Sequence, residues 1–200
     1  MEVNTSGLDG EPTVSADGLS LFARIVPVAA SCVHIALATR TSTLLAFSAL
    51  QVVATVNGPT NGSDPYFLPT GNVLCFVSDR SGNYRLYRSA KSGAMFMEPT
   101  IVPGVDLDTA DVEATPVVSP DELTLFFGSS RTTGAGDFDI YVATRATTAD
   151  GFGQPVALTS LNTAGFDVPS WISADGCDLY FTRSPPITQN NNLFVVTRGR

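Results

Sequence analysis

Glu113 to Arg145 reads EATPVVSPDELTLFFGSSRTTGAGDFDIYVATR, and its pattern recurs, with wear, three more times along the chain. The leucine of each Leu-x-Phe type run serves as a ruler: Leu21, Leu74, Leu125 and Leu179 are separated by 53, 51 and 54 residues. Upstream of the ruler lies a turn, Ser15-Ala16-Asp17-Gly18, Ser119-Pro120-Asp121-Glu122 or Ser173-Ala174-Asp175-Gly176, with Leu68-Pro69-Thr70-Gly71 as the divergent copy. Downstream lies a strand that ends in Thr-Arg, at Thr39-Arg40, Thr144-Arg145 and Thr197-Arg198; the second copy reads Ala90-Lys91 there.

A period of about 40 to 50 residues with several short strands per unit is the pattern of propeller blades rather than of helical solenoids. In the third copy the strands are expected at Pro116 to Ser119, Thr124 to Gly128, Phe138 to Thr144 and Pro155 to Leu158. Aromatic and β-branched residues crowd these runs, and Gly, Asn, Asp and Pro crowd the gaps. The Pro120-Asp121 turn has a physical basis, since Pro presets φ and Asp bonds its own backbone. The chain is therefore expected to be all-β, a single domain over 1–200 with repeats over about 9–61, 62–112, 113–165 and 166–200, and without helix.

The arrangement resembles the WD-like propeller repeat of the TolB type, which runs Asp-x-x-Pro-x-x-Ser-Pro-Asp-Gly-x-x-Leu-x-Phe-x-Ser-x-Arg and then Asp-Ile-Tyr. The third copy matches it closely. The fourth matches through Ser173-Ala174-Asp175-Gly176 and Leu179-Tyr180-Phe181, with Pro169 one residue early. The second keeps Asp64-Pro65 and Phe76-Val77-Ser78-Asp79-Arg80, and the first keeps Glu11-Pro12 and its turn. The resemblance covers nearly the whole chain and implies a propeller, with work in the bacterial periplasm or cell envelope. It says little about function, because this repeat serves unrelated partners and substrates.

With 19 acidic against 11 basic residues the field repels phosphate backbones, so nucleic acid is not an expected partner. Cys32, Cys75 and Cys177 have no metal-type spacing and are read as packing residues. The N-terminus lacks the basic start and apolar core of a signal peptide. Ile25 to Ala38 and Leu44 to Val56 are apolar, but each is shorter than the ~18 residues of a span and falls where other copies have strands. They are read as strands of a greasy first blade, and no membrane span is expected.

The segment Val3-Asn4-Thr5-Ser6-Gly7-Leu8-Asp9 resembles Leu161-Asn162-Thr163-Ala164-Gly165-Phe166-Asp167, which links the third copy to the fourth. The fourth copy reaches Arg200 after its third strand. Either the N-terminal segment completes that blade in a small closed ring, or the chain is part of a larger propeller with further blades. An open edge in the second case would invite self-association through edge strands.

Asp9, Glu113 and Asp167 each stand six residues before the turn serine, near the start of the innermost strand and around one mouth of the expected channel. The second copy has Gly62 there, with Asp64 close by. Arg80 and Arg131 follow their rulers by six residues, and Trp171 lies on an innermost strand, where it packs between blades or faces the channel. These seven residues, Asp9, Asp64, Arg80, Glu113, Arg131, Asp167 and Trp171, form the candidate binding mouth. Asp106, Asp108 and Asp111, or Asp137 and Asp139, are candidate calcium ligands, because hard cations take several oxygens from flexible loops. His34 is the only histidine and replaces Asp139 or Asn192 of other copies, which reads as a repeat-position change.

No Gly-x-Ser-x-Gly elbow is present. The expected function is a non-enzymatic scaffold that contacts a protein or peptide. The alternatives are a propeller that processes a glycan or small molecule with its channel carboxylates, and a calcium-stabilised structural propeller. The first alternative requires two of the carboxylates to converge and fails if all are tied to amides or arginines.

Overall fold

A computed structural model describes residues 5, 7–27, 31–104, 111–186 and 191–198. The chain divides into two compact units, Met1–Ile101 and Val102–Arg200. Each unit holds two β-propeller blades.

Blade one comprises β1 (Leu8–Val14), β2 (Ser20–Val26), β3 (His34–Thr39) and β4 (Gln51–Val52), followed by a single helical turn, α1 (Ala54–Asn57). Blade two comprises β5 (Gly62–Phe67), β6 (Val73–Ser78), β7 (Arg85–Ser92), β8 (Met95–Phe96) and β9 (Thr100–Ile101). In the second unit, blade three is β10 (Glu113–Val118), β11 (Thr124–Ser129), β12 (Asp139–Thr144) and β13 (Val156–Ala157), and blade four is β14 (Phe166–Ile172), β15 (Asp178–Ser184) and β16 (Asn192–Thr197). The strands of each blade pair in chain order, and β9 joins β7 beside the β8 extension. Of the apolar runs that raised the question of membrane spans, Ile25 to Ala38 contains the end of β2 and most of β3, whereas Leu44 to Val56, expected as strand, is mostly coil with the two-residue β4 and the start of α1. Among the described residues no helix is long and apolar enough to cross a membrane.

Two details depart from the sequence reading. The fourth strand of blade three is only Val156–Ala157, and α1 is a helical turn where no helix was expected. Both have one cause, a side chain that replaces the strand. Asn57 Oδ1 accepts the Ile35 N–H at 2.7 Å, and its Nδ2 donates to Ile35 O and Val53 O at 2.8 Å each. Asn162 repeats this on Ile140, at 2.8 and 3.1 Å. Each asparagine thereby extends a two-residue outer strand while the backbone coils away, which satisfies buried groups that would otherwise lack partners.

The first strand of every blade carries a bulge. The register slips between Gly10 and Thr13, Ser63 and Tyr66, Ala114 and Val117, and Pro169 and Trp171. In three of these the bulged residue, Glu11, Asp64 or Thr115, has φ near +50° and precedes a proline. Left-handed backbone at a non-glycine residue costs about 1–2 kcal/mol. Proline fits there because a bulge needs no donor to the ladder.

The first turn follows the chemistry its sequence suggests. Ser119 Oγ donates to Asp121 Oδ1 at 2.5 Å, Oδ1 accepts the Leu123 N–H at 3.0 Å, and the Thr124 N–H donates back to Ser119 Oγ at 2.9 Å. Blades one and four repeat the set with Ser15, Asp17 and Leu19, and with Ser173, Asp175 and Cys177. The serine hydroxyl, and after it the backbone N–H, holds each of these carboxyls below the usual carboxylate range. A depressed folded pKa stabilises the fold above the unfolded value, and that stabilisation is lost as pH falls through the folded one. Unfolding midpoints of the wild type and of a D17N/D121N/D175N variant, which keeps the accepting oxygens, should therefore converge as pH drops below about 4. Midpoints that stay a constant distance apart down to pH 2 would contradict this account of the turn.

The first unit is built around a cluster of Phe22, Ile35, Val56, Phe67, Leu74, Phe76, Tyr87 and Phe96, with Leu37 and Val53 packed against it. Phe22 and Phe67 lie 4.8 Å apart between ring centroids, and Phe96 meets both edge-on at 5.7 and 6.2 Å. Such pairs add about 0.5–1.5 kcal/mol each beyond the area they bury.

Candidate functional site

Asp9, Glu113 and Asp167 lie at the starts of β1, β10 and β14, as their spacing predicts. Their carboxylates are already bonded. Glu113 is fully buried and accepts from Arg131 Nη2 at 2.6 Å. Asp167, also fully buried, accepts from Arg183 Nε at 2.5 Å, from the Thr163 N–H at 2.7 Å and from Thr163 Oγ1 at 2.7 Å. Asp9 accepts the Thr5 N–H at 2.5 Å and Thr5 Oγ1 at 2.7 Å, the same Thr-to-Asp bridge in blade one. The similarity of the Thr5 and Thr163 segments in sequence thus marks one local motif, an anchor for the start of the first strand.

The arginines are organised differently from the sequence reading, which matched Arg80 with Arg131. Arg80 donates to Val56 O and lies over the rings of Phe76 and Tyr87, at 5.4 and 4.8 Å. Arg183 donates to Leu161 O, the equivalent carbonyl, and lies over Phe181 and Phe194 at 5.3 and 5.0 Å. Arg131 sits over Phe127 and Tyr141 at 5.7 and 5.9 Å. Three blades therefore share one guanidinium over one pair of stacked rings. Arg183 escaped a search by spacing because it leaves its strand two positions earlier, opposite Asp167 in the ladder. Desolvation lowers the Arg80 pKa.

The bulges present the more open groups. Glu11 Oε2 accepts the Asp64 N–H at 2.7 Å and its Oε1 lies 2.8 Å from Arg24 Nε, so one carboxylate ties two blades of the first unit at their bulges. Glu11 and Arg24 were not singled out from sequence, although Glu11-Pro12 occupies the repeat position of Asp64-Pro65. In the second unit Trp171 is 47% exposed and leans on Tyr180 at 5.4 Å between centroids. The packing expected for this tryptophan is thus one-sided.

Of the calcium candidates, Asp106 and Asp108 lie outside the described residues. Asp139 is buried and its Oδ2 accepts the Gly136 N–H at 2.9 Å, while the Asp137 N–H donates to Gly165 O at 3.2 Å. Among the described residues no group of three or more His, Cys, Asp or Glu is placed to hold a metal ion. His34 is paired with Ile25 in the ladder of blade one.

A cleft of about 390 Å³ opens between blades three and four, at the end of the Ser-x-Asp turns. Phe126, Leu158, Leu161, Ile172, Leu179 and Val196 make its apolar walls, and Asp121, Asp175, Cys177 and Arg198 stand among its polar lining. Sequence spacing gave no hint of it, because every wall residue reads as ordinary core. Cys177, like Cys32 and Cys75, takes part in no disulfide. The turn bonds of Asp121 and Asp175 favour the ionised form of both carboxyls, which makes them poor proton donors near neutrality.

No family profile matches this sequence, and no curated protein matches it. Solved structures do. TolB from Acinetobacter baumannii superposes with a TM-score of 0.60 at 19% identity, over 98% of this chain and 42% of that protein. A putative TolB from Agrobacterium tumefaciens gives 0.61 at 15% identity, over 96% of this chain and 78% of its own. A thermostable family-43 glycoside hydrolase gives 0.58 at 13% identity, over 94% and 74%. The chain thus spans less than half the length of the Acinetobacter TolB. At these identities the likeness is one of fold, and the fold is the β-propeller blade of the TolB type.

Proposed function

We propose that the chain is a non-enzymatic binding scaffold that contacts a protein or peptide of the cell envelope, the setting implied by its TolB-type resemblance. In each unit the contact would run through the bulged first strands, the mouth assigned by sequence, with the half-buried Asp64 offered by the first unit and the exposed Trp171 by the second. Asp9, Glu113, Asp167, Arg80 and Arg131 would act by holding those ends in place. The observation that carries this reading is the bonding of the carboxylates. A hydrolytic propeller needs one carboxyl to give a proton and another to take one or attack. Here each repeat-position acid is tied to an arginine or a backbone amide, and two are fully buried.

A structural acid and a catalytic acid respond differently to substitution. Asp167→Ala removes one partner of a pair in which Arg183 is a quarter exposed, and is expected to lower unfolding stability by about 2–4 kcal/mol, measured by urea denaturation. A D167N variant that keeps its stability and abolishes turnover of chromogenic glycosides would overturn the scaffold reading.

Binding is tested with Trp171, the only tryptophan of the chain. The immobilised wild type is expected to retain a protein from the soluble envelope fraction that Trp171→Ala loses by about tenfold or more, as expected for an aromatic anchor worth over 1 kcal/mol. The same protein, once purified, should shift the tryptophan emission of the wild type. Equal retention by both chains would remove Trp171 from the contact.

Calcium enters this proposal only as a stabiliser, through Asp106, Asp108, Asp111, Asp137 and Asp139. A ligand specific for the folded state must raise the melting temperature. Equal melting temperatures in excess calcium and in chelator would remove it.

A further inference from the structure

The linker from blade one to blade two reads Asn57-Gly58-Pro59-Thr60-Asn61-Gly62 and holds two Asn-Gly pairs. Each asparagine is there for its bonds. Asn57 completes the outer edge of blade one by bonding Ile35 and Val53. Asn61 Oδ1 accepts the Val33 N–H at 2.9 Å, its Nδ2 donates to Asp79 Oδ2 at 2.6 Å, and its own N–H donates to Asp79 Oδ1 at 2.8 Å. It therefore joins the two blades of the first unit.

The glycines are there for backbone shape and space. Gly58 has φ +64°, in the left-handed region, and a Cβ at Gly62 would sit 3.0 Å from Asn57 Oδ1 and 3.6 Å from the Ile35 side chain. The fold thus requires, for separate reasons, the dipeptide in which an asparagine is chemically weakest. The backbone nitrogen that follows an asparagine can attack its side-chain carbonyl, and glycine has no Cβ to obstruct that approach. The second unit supplies the contrast. Asn162 makes the same bonds to Ile140, but the β-branched Thr163 follows it, and both the N–H and the hydroxyl of that threonine are given to Asp167.

We propose that Asn57-Gly58, and Asn61-Gly62 beside it, are spontaneous deamidation sites gated by opening of the linker between blades one and two. The Gly58 nitrogen loses its proton and bonds to Asn57 Cγ, the Cγ–Nδ2 bond breaks, and ammonia leaves with the proton. Water then opens the succinimide to an aspartyl or isoaspartyl residue. In the folded chain both asparagine amides are bonded at oxygen and at nitrogen, and both attacking nitrogens already donate, Gly58 to Ala54 O at 3.3 Å and Gly62 to Val33 O at 2.8 Å. The chemistry must therefore wait for local unfolding. Its product does not fit back into the fold. At position 57 a carboxylate oxygen would face the Ile35 and Val53 carbonyls that Nδ2 now serves, and at position 61 it would face the Asp79 carboxylate. Openings of the first unit are thus recorded irreversibly, and those of the second, at Asn162, are not.

The full chain is held at mildly alkaline pH, either folded or in guanidinium chloride above its unfolding midpoint, and Asn57, Asn61 and Asn162 are followed by peptide mass and fragmentation. In the denatured chain Asn57 and Asn61 are expected to convert while Asn162 stays intact. In the folded chain their conversion is expected to be slower by about tenfold or more, because it waits on opening. Gly58→Ala, read in the denatured chain where its backbone strain is irrelevant, should slow conversion at Asn57 and leave Asn61 unchanged. Asn57→Asp is expected to unfold at a lower denaturant concentration than the wild type, or to fail to fold. No conversion in denaturant would overturn the sites, and equal rates in the folded and denatured chain would overturn the gating. Conversion of Asn162 as fast as Asn57, or no effect of Gly58→Ala, would overturn the role of glycine. A wild-type midpoint in Asn57→Asp would overturn the one-way step.

Discussion

β6 is buried at all six of its positions, Val73 to Ser78, and a strand of that kind cannot exist in a sheet with a solvent face. Successive side chains point to opposite sides, so burial of both sets demands a cover on each side. That constraint explains the architecture of the unit. Each blade buries its faces only by stacking on a neighbour, and the aromatic and aliphatic residues that do so recur at the period of the repeat. Phe22, Phe76 and Phe127 are all fully buried, each worth about 1.5–3 kcal/mol of transfer free energy. β16 shows the opposite condition, with Leu193, Phe194 and Val195 exposed.

Burial on this scale has a polar consequence. In blades three and four the acid at the start of the first strand, Glu113 or Asp167, is cut off from water, and burying such a group is costly unless it gains a charged or amide partner. Glu113 and Asp167 obtain arginines, and Asp9 and Asp167 obtain a threonine's N–H and hydroxyl. The arginines serve twice. Arg80 and Arg183 reach across to carbonyls of the linker that follows the previous blade, Val56 and Leu161, while stacking on rings of their own blade. Removing such a residue loses a hydrogen bond, a cation–π contact and the tie between two blades together. The energetic case for the ion pairs alone is modest, since buried pairs repay little more than their desolvation. Their value lies in fixing how one blade enters upon the next.

The blades were legible because their signals are local. The Ser119-Pro120-Asp121 turn states its own hydrogen bonds, and the Leu-x-Phe type runs that follow the turns recur at the period of the blade. The outer strands were legible only in place, because two residues such as Gln51–Val52 carry no periodicity and their continuation is made by the Asn57 side chain. The candidate acids were found by their spacing, but spacing could not tell an exposed ring of charge from buried anchors. That distinction rests on Thr5, Thr163, Arg131 and Arg183, partners that come from other turns and strands. The cleft had no signature of its own.

A repeat protein makes such differences interpretable, because each copy is a control for the others. A position that keeps its residue type and bonding from blade to blade, like the turn Ser and Asp of blades one, three and four, is explained by the fold. A position that keeps its geometry while its residue changes is free to serve something else. The bulges belong to the second class. Glu11, Asp64 and Thr115 share a left-handed backbone, yet one bridges blades, one offers its own N–H and one is a small hydroxyl. The fourth bulge moves Pro169 forward, places Ser170 beside Thr182 and leaves Trp171 half in solvent. Backbone strain of about 1–2 kcal/mol retained in three copies, with chemistry that differs in each, is a cost the blade's own packing does not require of those side chains. The same fold carries binding and hydrolytic propellers alike. What the repeat leaves variable in this chain is therefore the chemistry at its bulges, Glu11, Asp64 and Thr115, with Trp171 beside the fourth.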